Sequence, residues 1–227
     1  NIRMYAELLQ RRVDPEDDRA HKHLGIIVAE SQRLSRLIGN VLTFARHRRD
    51  ALVLRPVPGN LDDTVEEILV QFRPSLESRG VAVEFERGAS ETLRFDADVV
   101  TQVTANLVSN VEKYAAGGGF MRVTTAMEGD TATIAVADRG PGIPASKADA
   151  VFEPFVRLDD ALTEGVSGAG IGLALARELA RLHGGDLTLQ PAEPGGAVVC
   201  ALRCGPAEAR SKGSWPRTTP PPPRCAW

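Results

Sequence analysis

The sequence predicts an α+β protein, with an α/β two-layer sandwich domain preceded by an antiparallel helical hairpin. Three observations carry this. Leu24, Ile27, Ser31, Leu34, Ile38, Val41 and Ala45 follow one another at alternating steps of three and four, a heptad seam. Further on, "FMRVTTAME" and "TATIAVAD" alternate apolar and polar residues on either side of a Gly-Asp turn, as paired strands do. Helical patterns over Leu61–Arg79, Asp98–Ala115 and Gly170–His183 are interleaved with such strand pairs. Hairpin-like pairs mixed with long helices fit a two-layer sandwich and not a doubly wound parallel sheet.

In chain order, "NIRMYAELLQRR" spaces Ile2, Tyr5, Leu8 and Leu9 as one helical face, and "VDPEDD" supplies a turn and an acidic helix start. The heptad helix follows, giving a hairpin over residues 1–48. Two helices joined by a tight turn leave apolar faces uncovered, so two hairpins are expected to pair as a four-helix bundle in a homodimer. A hairpin packed on its own chain is the alternative. Residues 51–204 form the second domain, with "VLRPV" as a strand, "VAVEF" and "LRF" as short strands, and "DLTLQ" and "AVVCALR" as strands after the last helix. The stretch 205–227 is rich in Pro and poor in aliphatic residues, which predicts a disordered tail.

A net charge of −3 provides no basic field for nucleic acid. No apolar run approaches the roughly 18 residues of a membrane span. The chain starts at Asn1 inside a helical pattern, so it reads as part of a longer protein, attached to a membrane only through absent upstream segments. Cys200, Cys204 and Cys225 have neither disulfide-framework nor zinc-site spacing, and a reducing, cytoplasmic setting follows.

Four segments can carry chemistry. In "VTANLVSNVEKYA", Asn106, Asn110 and Lys113 share a helical face at i, i+4 and i+7, opposite Val103, Leu107 and Val111. Taken alone, such a stripe is equally a solvated face. In "DRGPGIP", Asp138 ends an apolar strand where its carboxylate can accept from a ligand amine, and Gly140 and Gly142 allow close backbone approach. In "GVSGAGIGLALARELA", Gly165, Gly168, Gly170 and Gly172 precede a helix, where exposed N–H groups suit an anion. Ile171 stands where a P-loop needs lysine, and no strand precedes the run as a dinucleotide fingerprint requires. In "VFEPFVR", Phe152 and Phe155 are expected to pack under the glycine loop. "HGGDL" reads as a helix stop.

These segments, in this order, resemble the catalytic ATP-binding domain of bacterial sensor histidine kinases: "NLVSNVEKYA" is similar to the asparagine box, "DRGPGIP" to the first glycine box, "VFEPFVR" to the phenylalanine box and "GAGIGLAL" to the second glycine box. "IRMYAELL" resembles the residues after the family's phosphoacceptor motif, and "ESQRLSRLIGNVLTFAR" its second dimerisation helix. The resemblance implies the sandwich of the histidine kinase, gyrase and chaperone ATPases. It implies ATP and Mg²⁺ as ligands, transfer of the γ-phosphoryl group to a histidine on the dimerisation helix, and relay to the receiver domain of a response regulator. Asn110 would ligate Mg²⁺, with Asn106, Lys113 and Tyr114 beside it. Asp138, with Gly140 and Gly142, would hold the adenine, and Gly168, Gly170, Gly172 and Leu173 would form the phosphate lid.

The family's phosphoacceptor is expected upstream of Asn1, so no catalytic histidine is assigned here. His21, His23, His47 and His183 read as surface or structural, and the chain alone is expected not to phosphorylate itself. Val111 replaces the family's usual alanine, and "AAGGG" follows where serine or threonine is common. Relatives that hydrolyse ATP carry a glutamate four residues before the metal asparagine. Asn106 fills that slot, and Glu112 lies about 160° around an ideal helix from Asn110. With no base for water, the site suits phosphoryl transfer to another nucleophile. A degenerate dimerisation and signalling module that binds no nucleotide is the alternative reading, and intact Asn110, Asp138 and lid glycines weigh against it.

Overall fold

The computed structural model describes residues 2–10, 12–13, 17, 19–21, 23–28, 31, 34, 53–156, 170–191 and 196–206. It divides into two units, Asn1–Leu52 and Val53–Trp227.

In the first unit α1 spans Ile2–Gln10, with Ile2, Tyr5, Leu8 and Leu9 all exposed. A second helical stretch begins where Asp17 accepts the N–H of Ala20 at 3.0 Å, the spacing of an N-cap. Ile26, Ile27 and Leu34 on it are exposed. Ile38, Val41, Ala45 and His47 lie outside the described residues.

The second unit opens with β1 (Val57–Asn60) and α2 (Leu61–Ser78). The strand expected over "VLRPV" is displaced: residues 53–56 belong to no ladder, and pairing starts at Val57. Pro56 lacks an N–H, and the N–H of Arg55 is taken by Asp96, so neither can donate to a neighbouring strand. Asn60 caps α2 by accepting from the N–H of Asp63 at 3.0 Å. Val65, Ile68, Leu69, Phe72 and Leu76 recur at helical spacing and are all buried. Asp62, in the first turn, is buried too. It accepts from the N–H of Ala89 at 3.1 Å and the Thr125 hydroxyl at 2.5 Å, which fastens the helix start to the loop after β2 (Ala82–Glu86) and to β4 (Phe120–Glu128).

After β3 (Thr92–Phe95) comes α3 (Ala97–Asn110), capped by Asp96. The single helix expected to Ala115 instead changes at Val111 to a π-helical turn through Ala115 and a 3₁₀ turn over Ala116–Gly118. Gly118 ends this 3₁₀ turn. A Cβ there would lie 2.2 Å from the carbonyl oxygen of Arg139, so the chain must turn where only glycine fits. β4 and β5 (Thr131–Asp138) form the expected hairpin. α4 (Gly172–Leu182), β6 (Asp186–Pro191) and β7 (Gly196–Arg203) follow.

The main sheet has the order β2-β4-β5-β7-β6, with only β2 and β4 parallel. One face carries Met121, Val123, Thr125, Ala132, Ile134, Val136, Leu187 and Leu202, all buried, and α2, α3 and α4 stack against this sheet. This is the predicted two-layer sandwich. A small second sheet joins β1, β3 and β8 (Gly205–Pro206). Gly205 and Pro206, at the start of the expected tail, are strand, and 207–227 lie outside the described residues. Among the described residues no helix is long and apolar enough to cross a membrane.

Candidate functional site

Two clusters form along α3 and its π turn. In the first, Asn106 and Asn110 sit at i and i+4 on the last turns of α3. Asn106 is only 8% exposed, so the polar stripe is not a solvated face. Both carboxamides point at the start of α4. A Cβ built on Gly172 would lie 3.3 Å from Asn106 Oδ1 and 4.0 Å from Asn110 Oδ1. Ile171, at the N-cap of α4, contributes no side-chain hydrogen bond to the first turn. A helix start, whose first N–H groups have no partner within the helix, with two carboxamide oxygens opposite it can receive an anion together with a hard cation.

In the second cluster, Asp138 is half-buried at the end of β5, and its Oδ1 accepts the N–H of Gly140 at 2.7 Å. Burial pushes the carboxyl pKa up, and the Gly140 hydrogen bond partly opposes this. The turn is pressed onto the end of the π turn. A Cβ on Gly140 would lie 2.5 Å from Ala115 Cβ and 2.8 Å from Asp138 Oδ1. Gly142 has φ 68°, a left-handed conformation open to glycine. Ala115 is the residue that sequence reasoning missed here, because its role is a contact across 25 positions that no local pattern encodes.

Lys113 and Tyr114 lie on the π turn, whose i→i+5 bonding departs from the α-helical step that placed Lys113 on the asparagine stripe. Tyr114 is exposed. Glu112 is turned away from both asparagines: it accepts from the Ser75 hydroxyl and pairs with Arg79 at 3.9 Å, both on the α2 side. Gly168 lies outside the described residues. Gly170, with φ 65°, accepts the N–H of Phe155 at 2.9 Å. A Cβ on Gly170 would come 2.9 Å from the Val156 carbonyl oxygen, so Gly170 and Val156 are in close approach. Leu173 is half-buried on the first turn of α4. Phe152 is buried under the guanidinium of Arg177 at 4.6 Å, and Arg177 is held in turn by Asp186 at 2.9 Å. Phe155, by contrast, is exposed.

Residues 1–50 match the family described as His Kinase A (phospho-acceptor) domain, and residues 95–204 match the Histidine kinase-, DNA gyrase B-, and HSP90-like ATPase family. The chain belongs to the sensor histidine kinases. Among members of this family, it is 34% identical to the sensor protein CutS of Streptomyces coelicolor over 174 residues, which is 76% of this chain and 41% of that relative. The chain thus spans about two fifths of the length of that curated relative. Its fold is similar to that of full-length ShkA in complex with AMPPNP (TM-score 0.70, 24% identity, covering 92% of this chain and 43% of that one). It is also similar to ThkA in complex with the response regulator protein TrrA (TM-score 0.62, 21% identity, 92% and 58%).

Proposed function

We propose that the chain is the kinase core of a two-component sensor, which binds Mg-ATP between α3 and α4 and passes the γ-phosphoryl group to a histidine of the dimerisation helix. The observation that carries this reading is the convergence of Asn106 Oδ1 and Asn110 Oδ1 on Gly172 at the start of α4. Asp138 would accept a hydrogen bond from the adenine amine on the oxygen that Gly140 leaves open. A charged hydrogen bond of this kind contributes about 1.5–3 kcal/mol. Gly140 and Gly142 keep the turn low enough for the base, and the first-turn N–H groups of α4 would face the phosphates.

Asn110 fits Mg²⁺, because a carboxamide oxygen is a hard neutral ligand and nucleotide phosphates and water complete such a shell. When bound, the ion neutralises charge on the phosphates during transfer. Asn106 can orient but cannot take a proton from water, and Glu112 is engaged with Ser75 and Arg79. The site therefore favours transfer to a protein nucleophile: the γ-phosphorus–oxygen bond to ADP breaks as a bond to imidazole nitrogen forms. The phosphoryl group would then pass to a response regulator, as the ThkA complex with TrrA suggests for this chain. The exposed apolar residues of α1 and of the second helical stretch favour pairing of two hairpins in a homodimer, and a cytoplasmic location follows from these partners.

The test is titration with a non-hydrolysable adenine nucleotide and, separately, its guanine counterpart. The reading expects the first to bind, the second to bind much more weakly, and Asp138→Asn to remove the difference. Equal binding of both bases by the wild type would contradict it.

A further inference from the structure

Asp96 makes three connections. Its Oδ1 accepts the N–H groups of Asp98 at 3.1 Å and Val99 at 3.2 Å, which caps α3. Its Oδ2 accepts the N–H of Arg55 at 2.7 Å, in the stretch by which the chain enters the domain. Its own N–H donates to Nε2 of His183 at 3.0 Å, and His183 is fully buried at the C-cap of α4. As an acceptor, Nε2 carries a lone pair, so the ring proton sits on Nδ1. Arg94 adds a second tie to the entering stretch, donating from Nη2 to the Pro56 carbonyl at 2.7 Å.

A cap alone needs one side-chain oxygen. Among the described residues, the second oxygen of Asp96 serves the entering chain. The consequence follows from how α3 and α4 are paired. At one end, Asp96 of the α3 cap meets His183 of the α4 cap; at the other, Asn106 and Asn110 meet Gly172. The two helices run antiparallel, hydrogen-bonded at the Asp96–His183 end and in close approach at the asparagine end, and α3 is about 21 Å long. A shift of the Asp96–His183 end changes the gap at the asparagine end.

We propose that Asp96 is a positioning residue that couples docking of the entering stretch, 53–56, to nucleotide binding at the far end of the α3–α4 pair. The inference rests on the nucleotide reading above. Docking of Arg55 on Asp96 and closure around nucleotide stabilise each other, and the coupling is reciprocal.

The experiment pairs hydrogen exchange of the Leu54, Arg55 and Val57 amides with titration of a non-hydrolysable ATP analogue, on the whole chain. Asp96→Asn keeps an oxygen for the α3 cap but turns an NH₂ toward the N–H of Arg55. Asp96→Ser, another good cap with a single oxygen, is the second variant, and thermal unfolding shows that each is folded. In the wild type the analogue should slow exchange in this stretch. In both variants exchange should be faster and indifferent to the analogue, with affinity lower by about fivefold or more. His183→Gln, which retains an acceptor for the Asp96 N–H, should preserve the response that His183→Leu loses. Unchanged affinity in folded Asp96→Asn, or wild-type exchange that ignores bound analogue, overturns the coupling alone. Failure of the wild type to bind analogue overturns the nucleotide reading and the coupling with it.

Discussion

Gly172→Ala separates stability from ligand binding. A methyl carbon at this position would sit 3.3 Å from Asn106 Oδ1, 3.9 Å from its Cγ and 4.0 Å from Asn110 Oδ1. Only the first contact is tight, and a side-chain adjustment of a few tenths of an ångström relieves it. Gly172 is the first residue of α4 and does not have positive φ, so alanine is compatible with the backbone. Such a replacement stabilises by about 0.4–1 kcal/mol through the unfolded chain. With the contact set against that gain, the net change should be under about 1 kcal/mol, a Tm shift of no more than about 4 °C for a chain of this size. The same methyl occupies the space between the two carboxamides and the first turn of α4, where phosphates would lie. Affinity for a non-hydrolysable ATP analogue should fall at least about tenfold, or about 1.4 kcal/mol. Thermal unfolding and calorimetric titration of the same preparation check both. Unchanged affinity in a stable variant would refute the placement of phosphate beside Gly172.

Gly140→Ala should cost stability. Its Cβ would overlap Ala115 Cβ at 2.5 Å and Ala115 Cα at 2.8 Å, so a loss of about 1–3 kcal/mol in denaturant unfolding is expected. For Asp138, burial raises the folded pKa above the unfolded value of 3.8, so the folded state holds its proton more tightly. Stability from this group therefore falls as pH rises from 3.8 through the folded pKa. Asp138→Asn keeps an acceptor for the Gly140 N–H and lacks that loss, so at neutral pH it should be at least as stable as the wild type. It should nonetheless bind adenine nucleotide about 10- to 150-fold more weakly. A wild type that loses no stability relative to Asp138→Asn across that pH window would contradict the burial argument. The Cys204 thiol is buried and its pKa is pushed up to about 12, so site-resolved alkylation at pH 8 should be slow and follow unfolding. Rapid labelling of the native chain would show the thiol to be accessible.

The elements that were legible in the sequence owe this to local periodicity. α2 declares itself through Val65, Ile68, Leu69, Phe72 and Leu76, and β4 and β5 through period-two apolar positions, Met121 and Val123 in one strand and Ile134 and Val136 in the other, on either side of the Gly129 turn. The asparagine pair was legible because i, i+4 spacing on an α-helix fixes a shared face, and that helix holds as far as Asn110. Beyond it, the π turn has no residue signature, so the place of Lys113 could not be read from spacing. Long-range pairings were invisible for a different reason. Asp62 with Thr125, Gly140 with Ala115 and Asp96 with His183 depend on the fold bringing distant residues together, and each residue alone reads as an ordinary helix start, turn or helix stop. β1 was misplaced by four residues because the apolar run before Pro56 looks like a strand, while the N–H of Arg55 is taken by Asp96 and Pro56 has none.

The most direct test of a Mg-nucleotide site between α3 and α4 is calorimetric titration with a non-hydrolysable ATP analogue, with and without Mg²⁺, on the wild type and Asn110→Ala. The account predicts tighter binding with Mg²⁺ in the wild type and loss of that dependence in the variant. Wild-type binding indifferent to Mg²⁺, or a variant that keeps the full Mg²⁺ effect, would contradict it.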